Sequence, residues 1–295
     1  MFNDSDQIDS AFFDEQGSGY FLKKDVYDDN GNLLLAKGRK ITSATKRKLE
    51  NMGVFRIQKP DNSAAMAGVI PAKSKQTPDT LVPTIQSFGR RKSIYNDHIT
   101  QRPYRILTSI VFESRSNPWW VLVNAMIDYS EPLYTHSIDV AMISLMLAAE
   151  LGYSNHEQWN LGLGAFLHDI GKVLLPKSII KKQDAMMDTE PFYIQQHCEL
   201  GANSLKLFDL AKECTDIVLH HHEHLDGSGY PEGLKNNEIS KEAQIVMVAD
   251  VLDNLSSTRP NRSAYTIDAA INVLKNDKRK YPQNLVLMLE KILKP

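Results

Sequence analysis

From about Gln101 to the C-terminus, apolar residues recur at the three- and four-residue spacing of helices. Asn117-Pro118 opens one helix, with an apolar run from Trp119 to Ile127. A second is predicted from about Thr135 to Leu151, with Gly152 just past its end. A third ends at His168-Asp169, and a fourth begins near Asp188 or Thr189, where Pro191 suits a first turn. A fifth is predicted from about Leu205 to His222, another carries AQIVMVADVLDNL, and two more follow Thr266. The pattern before Gln101 is different. Residues 1–18 read as a mobile acidic tail. In residues 19–59, Tyr20-Phe21-Leu22, Val26-Tyr27 and Leu33-Leu34-Leu35 have strand character, with a turn signal at Asp29-Asn30-Gly31-Asn32. A helix capped by Thr42 or Ser43 and ending near Met52 completes a small α+β module, with a last strand at Val54–Ile57. Pro60, Pro71, Pro78 and Pro83 make 60–91 read as a linker, and residues 1–90 are expected to be dispensable for chemistry. The fold class is mainly α: a helical bundle over 100–295, preceded by the α+β module.

Polar residues interrupt the apolar stripes of this bundle in a consistent way. Leu161, Ala165 and His168 fall at i, i+4 and i+7, and Asp169 lies one step round from His168. His136 shares a face with Val140, Ile143 and Leu147, and His197 follows Tyr193 by four residues. Leu210, Cys214 and Val218 lead to His221 or His222, while Val246, Ala249, Asp250 and Asp253 occupy one stripe. So many ionisable groups on apolar faces carry a large desolvation cost unless a cluster of divalent cations offsets it. Imidazole and carboxylate donors without thiolate favour iron or manganese, with zinc, magnesium or nickel also within their range. Two ions bridged by an Asp lower the pKa of a shared water to about 7 and clamp the oxygens of an in-line displacement at phosphorus.

Composition narrows the setting. Hydrophobic residues make up 42% of the 295 and the net charge is -2, so no basic field attracts DNA. Cys198 and Cys214 are too few for a disulfide framework and read as reduced and buried. The N-terminus has no apolar signal core, and VAMISLMLAAELG reads as too short to span a bilayer, which implies a cytoplasmic protein without a membrane partner.

Five segments then appear in order: YTHSIDVA, FLHDIGKVLLP, QQHCELG, HHEHLDGSGYPEGL and VADVLDNLSSTRPNR. Together they resemble the HD-GYP proteins, a branch of the HD phosphohydrolases, over roughly residues 120 to 290. The resemblance implies a helical bundle and metal-dependent hydrolysis of cyclic di-GMP to pGpG, in some members onward to GMP. Some members prefer a hybrid cyclic dinucleotide. It assigns His136, His168, Asp169 and Asp250 to one metal and His197, His221 and His222 to another, with Asp169 bridging. A hydroxide held between the ions would attack phosphorus. Lys172 would assist the leaving oxygen, Arg259 and Arg262 would hold phosphate, and Tyr230 would position substrate. Gly227 and Gly229 would let its loop turn tightly.

There are departures from the family pattern. Asn261 stands where an aromatic is usual, and the stretch from Lys177 to Asp188 lacks the usual Pro-Gly turn. Members with a third metal carry a Glu four residues before the first His. Here Pro132 fills that place and Glu131 is one residue off register, so two ions are expected; a helix that starts at Pro132 would instead leave Glu131 in an irregular stretch, able to swing inward to a third. Asp253 is expected to orient a ligand histidine, and Glu223 either to do the same or to have a simple surface role. His220 reads as inward packing, His224 as a loop residue, and His98 and His156 as surface. Trp119 and Trp120 read as core. GGDEF-domain proteins and a second copy of the chain are the partners that the resemblance suggests. The rival reading is a non-catalytic module that binds a cyclic dinucleotide or a partner protein.

Overall fold

Ser130 sits at the junction of two helices and fixes where the central one begins. Its hydroxyl accepts the Leu133 N–H at 3.4 Å, and Pro132 occupies the first turn, where a missing N–H costs nothing. The structure is a computed structural model. It describes strand residues 13–16, 19–22, 26–27, 33–35 and 40–41, and residues 81–92, 94, 97–114, 117–176, 192–208, 210–259 and 262–293.

The helices among the described residues are α1 (Leu81–Gln86), α2 (Phe88–Lys92), α3 (Asp97–Ser114), α4 (Trp120–Tyr129), α5 (Glu131–Glu150), α6 (Asn155–Leu167), α7 (Phe192–Gln195), α8 (His197–Leu205), α9 (Lys212–His220), α10 (Lys241–Ser256), α11 (Ile267–Asn276) and α12 (Gln283–Leu293). α5 lies at the centre, packed against α3, α4, α6, α10 and α12. It is buried without a break from Ser137 to Ala148, as expected of a helix enclosed on all sides. Its 20 residues are long and apolar enough to cross a bilayer, which corrects the expectation drawn from its apolar run, but its surroundings are other helices. The remaining caps follow local chemistry. Ser154 and Glu157 form a capping box on α6, Ser240 caps α10 and Thr266 caps α11.

Several boundaries move. α5 starts at Glu131, not Thr135, because Ser130 is its cap. α9 starts at Lys212, because Leu205 closes α8 and the chain turns before resuming the same apolar stripe. The expected linker 60–91 also ends early: α1 and α2 lie in its last residues, and Ile85 and Phe88 are fully buried in the main core. Pro83 falls in the first turn of α1, where it is compatible with a helix. Residues 1–90 are therefore not all separable from the bundle.

The N-terminal unit holds β1 (Phe13–Gln16), β2 (Gly19–Leu22), β3 (Val26–Tyr27), β4 (Leu33–Leu35) and β5 (Lys40–Ile41). β1 lies inside the stretch read as a tail and pairs antiparallel with β2, from Phe13 with Leu22 to Gln16 with Gly19. β5 pairs on the other edge of β2, and β3 pairs with β4. The helix expected from Thr42 or Ser43, the strand at 54–57 and the start of the fourth helix near residue 188 lie outside the described residues.

Phe88 makes α2 part of the core, so Phe88→Ala is expected to cost about 3–5 kcal/mol, read from urea unfolding of the full chain. A loss below about 1 kcal/mol would place α2 outside the core.

Candidate metal centre

α6 ends at Leu167, and the next two residues are His168 and Asp169, only 0% and 1% exposed. The chain then tightens into a 3-10 turn over Ile170–Leu174. Gly171 makes that turn fit: a Cβ there would lie 1.9 Å from the His197 carbonyl oxygen and 2.6 Å from the Gly201 nitrogen. The absence of a side chain thus lets the His-Asp turn lie directly on α8, whose first residue is His197. His221 and His222 follow the end of α9, His136 projects from α5, and Asp250 from the middle of α10.

These residues form two donor clusters: His136, His168 and Asp250, and Asp169, His197, His221 and His222. Asp169 faces both. Its Oδ2 lies 3.6 Å from His136 Nε2 and 3.6 Å from His168 Nε2. Its Oδ1 lies 3.2 Å from His197 Nε2 and 3.8 Å from His221 Nε2. Asp250 Oδ1 is 3.0 Å from His136 Nε2, and its Oδ2 is 3.9 Å from His222 Nδ1. All seven residues assigned to metal by resemblance are therefore brought together.

The backbone fixes the tautomer of the buried rings. His168 Nδ1 donates to the Ala165 carbonyl at 2.7 Å, and His197 Nδ1 to that of Ile194 at 2.7 Å. His221 Nδ1 donates to the Val218 carbonyl at 3.1 Å. A carbonyl only accepts, so the proton sits on Nδ1 and a neutral ring presents its lone pair at Nε2. His197 Nε2 and His221 Nε2 then face one another at 3.3 Å, and His168 Nε2 is buried with no hydrogen-bond partner. Lone pairs converging on carboxylates in a dry core are the donor set that a divalent cation satisfies. The residues fit such ions. Cys198 Sγ lies 3.5 Å from His197 Nε2 but belongs to neither cluster.

Electrostatics follow the same arrangement. Burial pushes His168 down to about 3, so it is neutral at pH 7. Burial also opposes charge on His136, but hydrogen bonds to Asp250 and Asp253 outweigh it and hold its pKa up at about 10. Burial works against the charge on Asp169 too, yet the Lys172 ammonium beside it holds the carboxyl well below the usual range. Lys172 Nζ donates to Asp169 Oδ2 at 2.8 Å.

The other expected residues divide. Asp253 accepts from His136 Nδ1 at 2.6 Å and so orients that ring. Glu223 does something else: fully buried, it accepts the N–H groups of Glu232, Gly233 and Leu234 at 2.7, 3.0 and 3.0 Å. It ties down the backbone that follows Tyr230, and its hydrogen bonds do not go to a ligand histidine. Gly229 completes the turn, because a Cβ there would meet Glu223 Cα at 2.4 Å. The Tyr230 ring stacks 4.7 Å from His222 at an interplanar angle of 31°. Glu131, the exposed first residue of α5, is in neither cluster. His220 packs inward on Asp216 at 2.9 Å, His224 bonds Ser228 in the loop, and His98 and His156 are exposed. Trp119 is buried and Trp120 packs on the core.

Two groups escaped the sequence reading. Asn254 donates from Nδ2 to Asp250 Oδ1 at 2.7 Å, while its Oδ1 accepts from Arg259 and its carbonyl accepts from Arg262. It joins the basic pair to a candidate ligand. Its position four residues after Asp250 was a legible signal. Lys92, in α2, reaches Asp253 across a separation in sequence that no pattern marks. Because the two oxygens of Asp169 serve different clusters, Asp169→Ala is expected to lose metal from both. Elemental analysis of the purified chain checks this, and two retained ions would refute the shared role.

A family model described as HD domain matches residues 121–285, more than half of the chain. The chain is 39% identical over 131 residues to the cyclic di-GMP phosphodiesterase response regulator RpfG of Xanthomonas campestris, covering 44% of this chain and 35% of that protein. It is 31% identical over 207 residues to 3'3'-cGAMP-specific phosphodiesterase 1 of Vibrio cholerae, covering 67% of this chain and 48% of that protein. The chain thus spans about a third to a half of the length of these relatives. A solved HDGYP protein from Bdellovibrio bacteriovorus aligns over 97% of each chain at 20% identity with a TM-score of 0.49. The family match rests on the segment that carries every residue of the two clusters, and the chain belongs to the HD domain family.

Proposed function

We propose that the chain is a metal-dependent phosphodiesterase that opens cyclic di-GMP, or a related cyclic dinucleotide, to the linear dinucleotide. The observation that carries this reading is Asp169, whose two oxygens face two separate imidazole-carboxylate clusters. The names of the relatives support the substrate class. We further propose two ions, iron or manganese, with His136, His168 and Asp250 holding one, His197, His221 and His222 the other, and Asp169 both. When bound, such a pair activates water near neutral pH and neutralises charge on phosphate oxygens.

The chain's own residues supply the rest. Lys172, held beside Asp169, keeps a proton at Nζ that it can deliver to the departing ribose oxygen. Arg259 and Arg262, joined through Asn254, offer guanidinium donors to phosphate. Tyr230, stacked on His222, forms a wall against which substrate is oriented. A chain with net charge -2 thereby concentrates cationic groups where a bis-phosphate ligand needs them.

The test is turnover of cyclic di-GMP by the full chain loaded with Mn²⁺ or Fe²⁺. Hydrolysis to pGpG, or on to GMP, abolished by chelator, is the expected result. Binding without turnover by metal-loaded protein would favour the non-catalytic reading. Arg259→Ala and Arg262→Ala are each expected to lower turnover on the order of 10²–10³-fold with metal content unchanged. Parental rate and affinity in both variants would remove the arginines from the site.

A further inference from the structure

Lys92 is 4% exposed, an unusual state for an ammonium group. It lies in α2, outside the residues that match the family model. Its Nζ is 2.5 Å from Asp253 Oδ1, and it donates to Ser257 Oγ at 2.8 Å and to Ser256 Oγ at 3.2 Å. An ammonium has three N–H donors; two of them go to the serine hydroxyls, and the contact with Asp253 is an ion pair. All three partners lie at the C-terminal end of α10, where the backbone carbonyls also favour a cation. Asp139 of α5 stands 3.7 Å from the same Nζ and pairs with Arg91, whose Nε donates to Asp139 Oδ2 at 3.2 Å. Arg91 Nη1 in turn donates to the Thr84 carbonyl at 2.7 Å, which ties α2 back to α1.

The other oxygen of Asp253 completes a chain of contacts. Oδ2 accepts from His136 Nδ1 at 2.6 Å, and His136 Nε2 faces Asp169 and Asp250. Asp253 therefore has one oxygen committed to Lys92 and the other to His136. Without Lys92 that carboxylate would share a dry interior with Asp139 and leave one oxygen unpaired, a costly arrangement. Rotation of the carboxylate to relieve it would release the ring that it orients.

We infer that Lys92 is a positioning residue for the metal centre: acting through Asp253, it holds His136 with Nε2 presented to the ion at the His136, His168 and Asp250 cluster. The inference rests on the two-ion reading proposed above. It places part of the centre in the helix upstream of the family-matched segment. A stabilising ion pair with no positioning role would affect unfolding alone. A positioning residue affects the affinity of one site and not the other.

The experiment is Mn²⁺ titration of the chelator-treated full chain, with folding checked by circular dichroism. The parent is expected to bind two ions. Lys92→Met, which keeps the length and removes the charge, is expected to retain one site at parental affinity and to weaken the other about 10–100-fold. Asp253→Asn is expected to weaken the same site. In that background Lys92→Met is expected to add less than about twofold, because both substitutions break one chain of contacts. If Lys92→Met does not fold, Lys92→Gln, uncharged but still a donor, is read in the same way. Two parental affinities in a folded Lys92 variant, or fully additive losses in the double variant, would overturn the inference while leaving the two-ion reading intact. A parent chain that binds no Mn²⁺ would overturn both.

Discussion

The structure depends on the cost of placing ionisable groups in a dry helical core. His168, Asp169, His197, His221 and Asp253 are each at most 1% exposed, and Asp250 is nearly as deep. An isolated charge at that depth is prohibitive, so every group must be neutral, paired or liganded. The arrangement meets that constraint in a regular way. His136, His168, His197 and His221 each give the Nδ1 proton to a fixed acceptor and turn Nε2 inward, so the acceptors determine what the inward faces can do. The helices are then constrained in register as well as in position. A one-residue slip of α6 would carry His168 off the stripe that leads it into the core.

Much of this was legible because helical periodicity and chemistry pointed to the same residues. His168 continues the stripe of Leu161 and Ala165, and Asp250 and Asp253 sit among Val246 and Ala249, so burial could be inferred before any fold was known. The central bundle and the buried cysteines follow from the same local rules. Cys214 is an example: burial pushes its thiol up to about 12, and its Sγ donates to the Asn160 carbonyl. It is an inert packing group.

What was not legible depends on tertiary choice. Composition marked 60–91 as linker, yet α1 and α2 are recruited because Ile85 and Phe88 find the bundle surface, a contact no local window contains. Glu223 looked like a histidine-orienting carboxylate from its place beside His222. Its acceptors instead meet three consecutive N–H groups of a loop whose path sequence does not give. The off-register Glu131 illustrates the reverse case. Once Ser130 is known to cap α5, Glu131 falls within regular helix, and the roughly 100° step per residue separates its direction from that of Pro132.

The last turns of α10 bring these threads together. Asp250, Asp253, Asn254 and Ser257 recur at i, i+3, i+4 and i+7, so they share one face of the helix. Along that face Asp250 meets His136, Asp253 orients the same ring, Asn254 gathers Arg259 and Arg262, and Ser257 receives Lys92. Asp250, which would hold metal, and Asn254, which anchors Arg259 and Arg262 of the segment after the helix, are thereby set on one rigid element, at a spacing fixed by helical rise. Separate loops could supply the same side chains but would have to order them at the moment of binding, at an entropic cost. A single helical face fixes Asp250 and the anchor of the two arginines before substrate arrives. The same face is the route by which a helix as remote in sequence as α2 can reach the reacting end of the bundle.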